Sequence, residues 1–352
     1  MLRTPAYAAA DGTSPLAPFT IDRREPRANE ILIDIAYCGV CHSDIHQVRD
    51  EWGGNGIFPM VPGHEIVGRV AKVGDGVSGF KVGESVGVGC FVDSCRDCPQ
   101  CSAGEEQYCD KGMTATYNAR ERDTGAPTYG GYSTRITVDQ DYVLRIPDGI
   151  DLDRAAPLLC AGITTYSPLK HYGLEAGDAL AVVGLGGLGH MAVKFGVAMG
   201  AKVTVLSTSE SKRDDAIALG AHAFASTRDA GTFKALAGSF DMILDTVSAP
   251  HDYNAYLSLL KVDGTMVVVG IPDQPAPVAA GALIMRRRKL AGSLIGGIAE
   301  TQEMLDYCAA HGIASDIERI DIAQVNDAYE RMIKGDVKYR FVIDIASLNA
   351  AG

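Results

Sequence analysis

The sequence predicts an α/β plus β protein of two domains, one β-rich and one built on a doubly wound parallel sheet. Three observations carry this. The chain has 352 residues, more than one core ordinarily holds. Residues 1 to about 150 read as short β-branched runs punctuated by glycine and proline. From about Asp178 the rhythm changes to strand, glycines, helix, strand, which is the pattern of a parallel sheet.

Composition narrows the function classes. Hydrophobic residues make up 47% and charged residues 22% of the chain, which is globular and argues against disorder. A formal net charge of −12 disfavours nucleic acid as a partner, since that needs a basic face. The start, M-L-R-T-P-A-Y-A-A-A-D, has no apolar signal core, and no charge-free run approaches the ~18 residues of a membrane span. A cytoplasmic protein without a membrane partner is expected. Four of the nine cysteines crowd into fifteen residues, and in such a protein metal binding is the better reading of that layout than disulfides.

In the first domain, E-I-L-I-D-I-A-Y from Glu30 alternates as a strand and leads into C-G-V-C-H-S-D-I-H. Cys41 there, and His64 in V-P-G-H-E, offer the thiolate and imidazole that zinc prefers. Ser43 and His46 lie between them and are able to move a proton. Two ligands fall short of the three that a catalytic zinc site usually takes from protein. I-V-G-R-V-A-K-V-G, K-V-G-E-S-V-G-V-G and Y-S-T-R-I-T-V supply further strands, which suggests a barrel or sandwich whose loops carry the motifs. Cys95, Cys98, Cys101 and Cys109 suit a closed tetrahedral structural site for zinc, or an iron–sulfur cluster. Cys38, Cys90 and Cys308 have no such pattern and read as small buried hydrophobes. Trp52, in D-E-W-G-G, either lines a substrate pocket or packs on the barrel.

In the second domain, A-L-A-V-V-G is a buried strand and G-L-G-G-L-G follows it. Gly184, Gly186 and Gly189, with Leu185, Gly187 and Leu188 between them, match the dinucleotide fingerprint and open a helix running to Met199. After the second strand, K-V-T-V-L-S, NAD enzymes tend to place an acid for the ribose 2′-hydroxyl. This chain has Ser207, Thr208 and Ser209, then Lys212 and Arg213, which suits a 2′-phosphate and predicts NADP(H). The competing reading is an ordinary helix start with solvated cations. Strands follow at Asp241 to Thr246 and Gly264 to Gly270, and G-S-L-I-G-G from Gly292 is expected to be a last edge strand. The helix A-Q-V-N-D-A-Y-E-R-M-I and strand Y-R-F-V-I-D-I of the tail either extend this domain or return to the first.

Taken together, G-V-C-H-S-D-I-H, V-P-G-H-E-I-V-G, the cysteine quartet, A-P-L-L-C-A-G-I-T-T-Y-S-P-L and G-L-G-G-L-G, over nearly the full length, resemble the zinc-dependent medium-chain alcohol dehydrogenases. The likeness is to the cinnamyl-alcohol-dehydrogenase branch, which includes bacterial NADPH-dependent aldehyde reductases. The resemblance implies a GroES-like β-barrel catalytic domain over 1–155, with 300–352 returning to it, around a Rossmann NADP-binding domain over 156–299. It implies that Cys160 is the third catalytic zinc ligand beside Cys41 and His64, with Glu65 able to approach the metal and Asp44 orienting the ligands. It favours zinc for the quartet, hence two zinc ions per chain. Ser43 and His46 become a proton relay, Ser43 also contacting the cofactor. Thr164, Thr246, Gly270, Ser293, Leu294 and Ile295 carry over as cofactor contacts, and the Trp52 loop as part of the substrate pocket.

The expected function is reversible hydride transfer between NADP(H) and primary alcohols or aldehydes, aromatic and medium aliphatic. A homodimer, or a tetramer, joined through sheet edges is expected by the same resemblance. The alternatives are an NAD-dependent polyol or secondary-alcohol dehydrogenase, which the missing acid after the second strand disfavours, and a zinc-stabilised non-catalytic binding protein, which leaves the glycine loop unexplained.

Overall fold

A computed structural model describes residues 1–272 and 274–349. The chain divides into two compact units, Met1–Cys160 together with the residues from Gly296 on, and Ala161–Ile295. The first unit opens with a hairpin, β1 (Leu2–Ala8) and β2 (Ala17–Arg23). Then come β3 (Glu30–Gly39), α1 (His42–Val48), β4 (Ile66–Val73) and β5 (Ser85–Val88). A small lobe holds β6 (Phe91–Asp93), α2 (Pro99–Ser102) and β7 (Thr114–Ala115). β8 (Arg135–Asp139), β9 (Leu144–Arg145) and α3 (Leu152–Ala155) close this part.

The second unit alternates helices and strands: α4 (Ala161–His171), β10 (Ala179–Val183), α5 (Gly187–Ala198), β11 (Lys202–Ser207), α6 (Arg213–Ala218) and β12 (Ala223–Ser226). It continues with α7 (Thr232–Ala235), β13 (Phe240–Asp245), α8 (Tyr253–Ser258), β14 (Leu260–Val268), α9 (Ala280–Ile284) and β15 (Lys289–Gly292). Its six strands are all parallel, in the order β12-β11-β10-β13-β14-β15. That order places a topological switch at β10, where β11 lies on one side and β13 on the other; ligands bind at such a point, outside the carboxyl ends of the strands. Ala181, Val183, Leu206, Ile243, Leu257 and Met266 form part of one buried cluster under the sheet. β10 has no polar alternation because a central parallel strand is covered on both faces.

The chain then re-enters the first unit with α10 (Ile298–His311), β16 (Ile317–Asp321), α11 (Val325–Ile333) and β17 (Arg340–Asp344). β17 pairs antiparallel with β3, bringing Val342 opposite Gly39 and Ile343 opposite Cys38. The resulting sheet runs β16-β17-β3-β4-β5-β9, with β8 also on β3.

Two local expectations change. The alternation read from Glu30 to Tyr37 breaks at Ile31, Leu32 and Ile33, which are all buried. β3 lies inside its sheet, with β4 on one edge and β8 on the other, and α3 packs on it. The last strand of the second unit ends at Gly292 and does not begin there; β15 lies one step upstream, with Lys289 to Gly292 opposite Thr265 to Val268. Ile295 takes φ +38, a left-handed conformation that an extended strand does not accommodate. Among the described residues no helix is long and apolar enough to cross a membrane.

Candidate functional site

Three segments of the first unit bring Cys41, His64, Glu65 and Cys160 together. One donor atom from each lies within 4.8 Å of all the others, and all four residues are buried. Cys41 sits between the end of β3 and α1, and Cys160 follows a short 3₁₀ turn after α3. The thiols of Cys41 and Cys160 are 3.9 Å apart, and His64 Nε2 is 3.2 Å from Cys160 Sγ. Zinc–sulfur bonds of about 2.3 Å at a tetrahedral angle set two thiolates about 3.8 Å apart. The donor set therefore fits zinc in type and in spacing. One further observation fits a cation: Glu65 Oε2 is buried with no hydrogen-bond partner.

Asp44 organises this cluster from beneath. Its carboxylate is fully buried and accepts from Cys41 N at 2.9 Å and Gly63 N at 3.1 Å. It also meets His64 Nδ1 at 3.2 Å and Tyr132 OH at 3.4 Å. With Nδ1 held by a carboxylate, Nε2 is directed at the thiols, the orientation that a buried carboxylate gives a metal-binding histidine. Gly63 makes the approach possible: its φ is +102, and a Cβ there would stand 2.7 Å from both Cys38 Sγ and the Tyr132 ring. Tyr329 OH lies 3.5 Å from Tyr132 OH, and the Tyr117 ring stacks on His64 at 5.9 Å. Burial, with the charge of Asp44, holds all three phenols well above their ordinary range, so they remain donors. Cys41 is drawn well below the usual thiol range, first by its hydrogen bond with Cys160, against the opposing effect of burial, and further by Arg340 and His64. Arg340 itself is buried and paired with Glu65.

Ser43 Oγ is 3.7 Å from Cys41 Sγ in the first turn of α1. His46, on the next turn, places Nδ1 2.6 Å from Glu51, and the Trp52 ring stacks on it at 5.1 Å and 21°. Trp52 is 40% exposed, so the ring that stacks on His46 also meets solvent. Cys90 departs from its expected place in the core. It is partly exposed, and its Sγ lies 3.8 Å from the carbonyl of Leu159, the residue before Cys160. Cys38 and Cys308 are fully buried.

The four lobe cysteines form a second group with the same mutual closeness. Cys98 caps α2 by accepting from Cys101 N, and Cys95 N donates to Cys109 Sγ at 3.4 Å. The backbone N–H groups of Cys101 and Asp110 pull the Cys98 thiol down to about 6. Cys95 lies 3.9 Å and Cys98 3.4 Å from Cys101, sulfur to sulfur. Arg96 pins the lobe in place: it pairs with Asp93, Asp139 and Asp141 and lies over the Tyr142 ring.

In the second unit the glycine loop joins β10 to α5, with Gly186 as the residue before the helix. Gly184 takes φ +88, which turns the chain sharply out of the strand. A Cβ on Gly189 would collide with the Gly184 carbonyl, whereas one on Gly186 would meet nothing within 4 Å. The loop is thus tight at its base and open where a ligand would approach, in front of the unsatisfied N–H groups of a twelve-residue helix. Thr246 donates to the Val183 carbonyl at 2.7 Å, next to the loop, and Gly270 packs against the backbone of Val247. Ser207 ends β11 and accepts from Ser209 N at 3.2 Å; Thr208 lies between them. Lys212 and Arg213 are less available than their sequence position implies. Lys212 Nζ donates to the Leu185 carbonyl at 2.8 Å, and Arg213 is held by Glu210 at 2.6 Å with its guanidinium over Phe224. Thr164 is buried on α4; Ser293, Leu294 and Ile295 follow β15, with Leu294 41% exposed.

Glu51, Tyr117, Tyr132, Tyr329 and Arg340 escape sequence reasoning. Only Glu51, five residues from His46, left a local signal.

Two family models match the chain: the alcohol dehydrogenase GroES-like domain over residues 27–148 and the zinc-binding dehydrogenase over 187–310. The chain is 58% identical to NADP-dependent alcohol dehydrogenase C 1 of Mycolicibacterium smegmatis, across 98% of this chain and 99% of that one. It is 55% identical to aldehyde reductase YahK of Escherichia coli, across 99% of each. A solved cinnamyl alcohol dehydrogenase from Sorghum bicolor shares 48% identity over 98% of both chains, with a TM-score of 0.95.

Proposed function

Because the chain belongs to the zinc-binding alcohol dehydrogenases, with the GroES-like domain and the dinucleotide-type sheet of that family, we propose that it interconverts primary alcohols and aldehydes with NADP(H). The observation that carries this is the buried Cys41, His64 and Cys160 set, in a chain that also holds an open glycine loop at a switch point. Two of the relatives are named as an NADP-dependent alcohol dehydrogenase and an aldehyde reductase, and the hydroxyls after β11 suit NADP(H).

When bound, zinc supplies Lewis-acid polarisation of the substrate oxygen and NADPH supplies the hydride. The residues do the rest. Cys41, His64 and Cys160 hold the metal, and Asp44 fixes the His64 tautomer. Ser43 passes a proton between the reacting oxygen and the path to solvent, with His46 as its outer member. Glu51 occupies Nδ1 of His46, which leaves Nε2 to exchange. His46→Ala should therefore lower kcat by about tenfold, less than loss of a metal ligand, because water replaces an outer relay member. A loss as deep as that of a ligand mutant, in single-turnover kinetics, would count against the relay.

The metal reading requires two zinc ions per chain, one in the buried set and one in the cysteine lobe. Metal analysis of the purified protein should return two, and a single ion would leave one of the sites unfilled. The cofactor reading is tested by comparing kcat/KM for NADPH and NADH on an aldehyde panel. A preference for NADPH of roughly a hundredfold is expected from one charge-assisted phosphate site; parity would overturn it. A homodimer through the edges of the parallel sheets is the assembly we favour, supported by β15 at the sheet edge and by exposed Ile271, Ile284 and Met285. The free thiols suit the cytoplasm.

A further inference from the structure

Beyond the carboxyl ends of β11 and β12 lies an open concavity of about 640 Å³, lined among others by Thr208, Glu210, Arg213, Ser226, Arg228 and Asp229. The register fixes its walls. Ser207 of β11 pairs with Ser226 of β12, and Thr227 N donates to the Ser207 carbonyl at 2.9 Å. Arg228 therefore leaves the sheet two residues after the partner of Ser207, beside the stretch Ser207 to Ser209.

The charges in this concavity are unequally engaged. Arg213 is neutralised by Glu210 through two nitrogens, at 2.6 and 2.7 Å, and also donates to the Phe224 carbonyl. Lys212, which follows the same strand, is turned to the Leu185 carbonyl, and burial lowers its pKa. Asp229 accepts from Gly231 N at 2.8 Å, which ties it to its own turn. Among the described residues of the concavity, Arg228 is exposed and its guanidinium has neither an ion pair nor a hydrogen bond.

We propose that Arg228 is a specificity-determining residue for the cofactor's 2′-phosphate. It approaches from the end of β12 the phosphate that Ser207, Thr208 and Ser209 meet from the end of β11. The inference rests on NADP(H) being the cofactor. A planar guanidinium gives a dianionic phosphate two parallel donors, and this one has no carboxylate to leave first. Arg213, by contrast, must surrender Glu210 to do the same.

Isothermal titration of the full, zinc-loaded chain with NADPH, NADH and adenosine 2′,5′-bisphosphate tests this without turnover. Arg228→Gln should weaken NADPH and the bisphosphate by on the order of tenfold and NADH by less than about twofold. Arg228→Lys should fall between, since a point charge replaces the fork. Arg213→Gln should cost less than Arg228→Gln. If Arg228→Gln leaves the NADPH-to-NADH affinity ratio at its wild-type value, Arg228 is a solvated surface cation and the inference is overturned. If the wild-type chain itself binds NADH as tightly as NADPH, the cofactor reading fails first, and this assignment goes with it.

Discussion

Cys41→Ala should lower kcat by about a thousandfold or more, because several kcal/mol of Lewis-acid stabilisation disappear and each 1.36 kcal/mol is a factor of ten. Metal analysis should return one zinc ion for the variant and, if the two-zinc proposal holds, two for the parent. The lobe cysteines share no ligand with the buried set, so zinc proposed for the lobe should be retained. NADPH binding, followed by cofactor fluorescence, should be within about twofold of the parent, since the glycine loop and the hydroxyls after β11 belong to the other unit. Near-normal turnover in this variant would remove the buried set from the chemistry. Loss of both metal ions would instead point to a general collapse of the unit, which circular dichroism would reveal.

Arg340→Met should be the most destabilising single change near the site. Arg340 is 3% exposed and its partner Glu65 is not exposed at all. Removing the guanidinium leaves a buried carboxylate without its counter-charge, and breaking such a pair costs about 3–5 kcal/mol. Urea unfolding of zinc-loaded protein should show this as a lower midpoint at unchanged slope. Glu65→Gln combined with Arg340→Met should restore most of the loss, because neither charge is then buried alone. A single-variant cost below about 1 kcal/mol would mean that water or the metal already compensates Glu65.

The parts of the site that are legible in the sequence are those whose chemistry is local. Four cysteines within fifteen residues point to a metal-binding lobe because one short loop can wrap one ion, and the structure brings their sulfurs together. G-L-G-G-L-G announces a dinucleotide because the strand before it and the helix after it stand in the same stretch. Cys160 is different. Its neighbours Leu159 and Ala161 are those of any core residue, and its partner His64 is 96 positions away, so only family resemblance picks it out. Arg340 lies 275 positions from Glu65 and looks like one more cation in a strand. Lys212 and Arg213 show the opposite failure. Their position suggests free positive charge, but Leu185 and Glu210 have already engaged them, and no local pattern reports that. The edge strand slipped by a few residues for a backbone reason: G-S-L-I is apolar enough to extend β15, but Ile295 is left-handed.

The pairing of β17 with β3 has a consequence for the order in which the protein is made. Synthesis runs from the N-terminus, and domains tend to fold as their residues emerge. Cys41, His64 and Glu65 leave the ribosome early, but Arg340 and the strand that covers one edge of β3 arrive after the whole parallel-sheet unit has been translated. Until then Glu65 lacks Arg340, and Tyr37 to Gly39 at the end of β3 have no strand partner on that edge, an exposure of the kind that invites mispairing. The parallel-sheet unit, whose strands all lie between Ala179 and Gly292, can close on itself first.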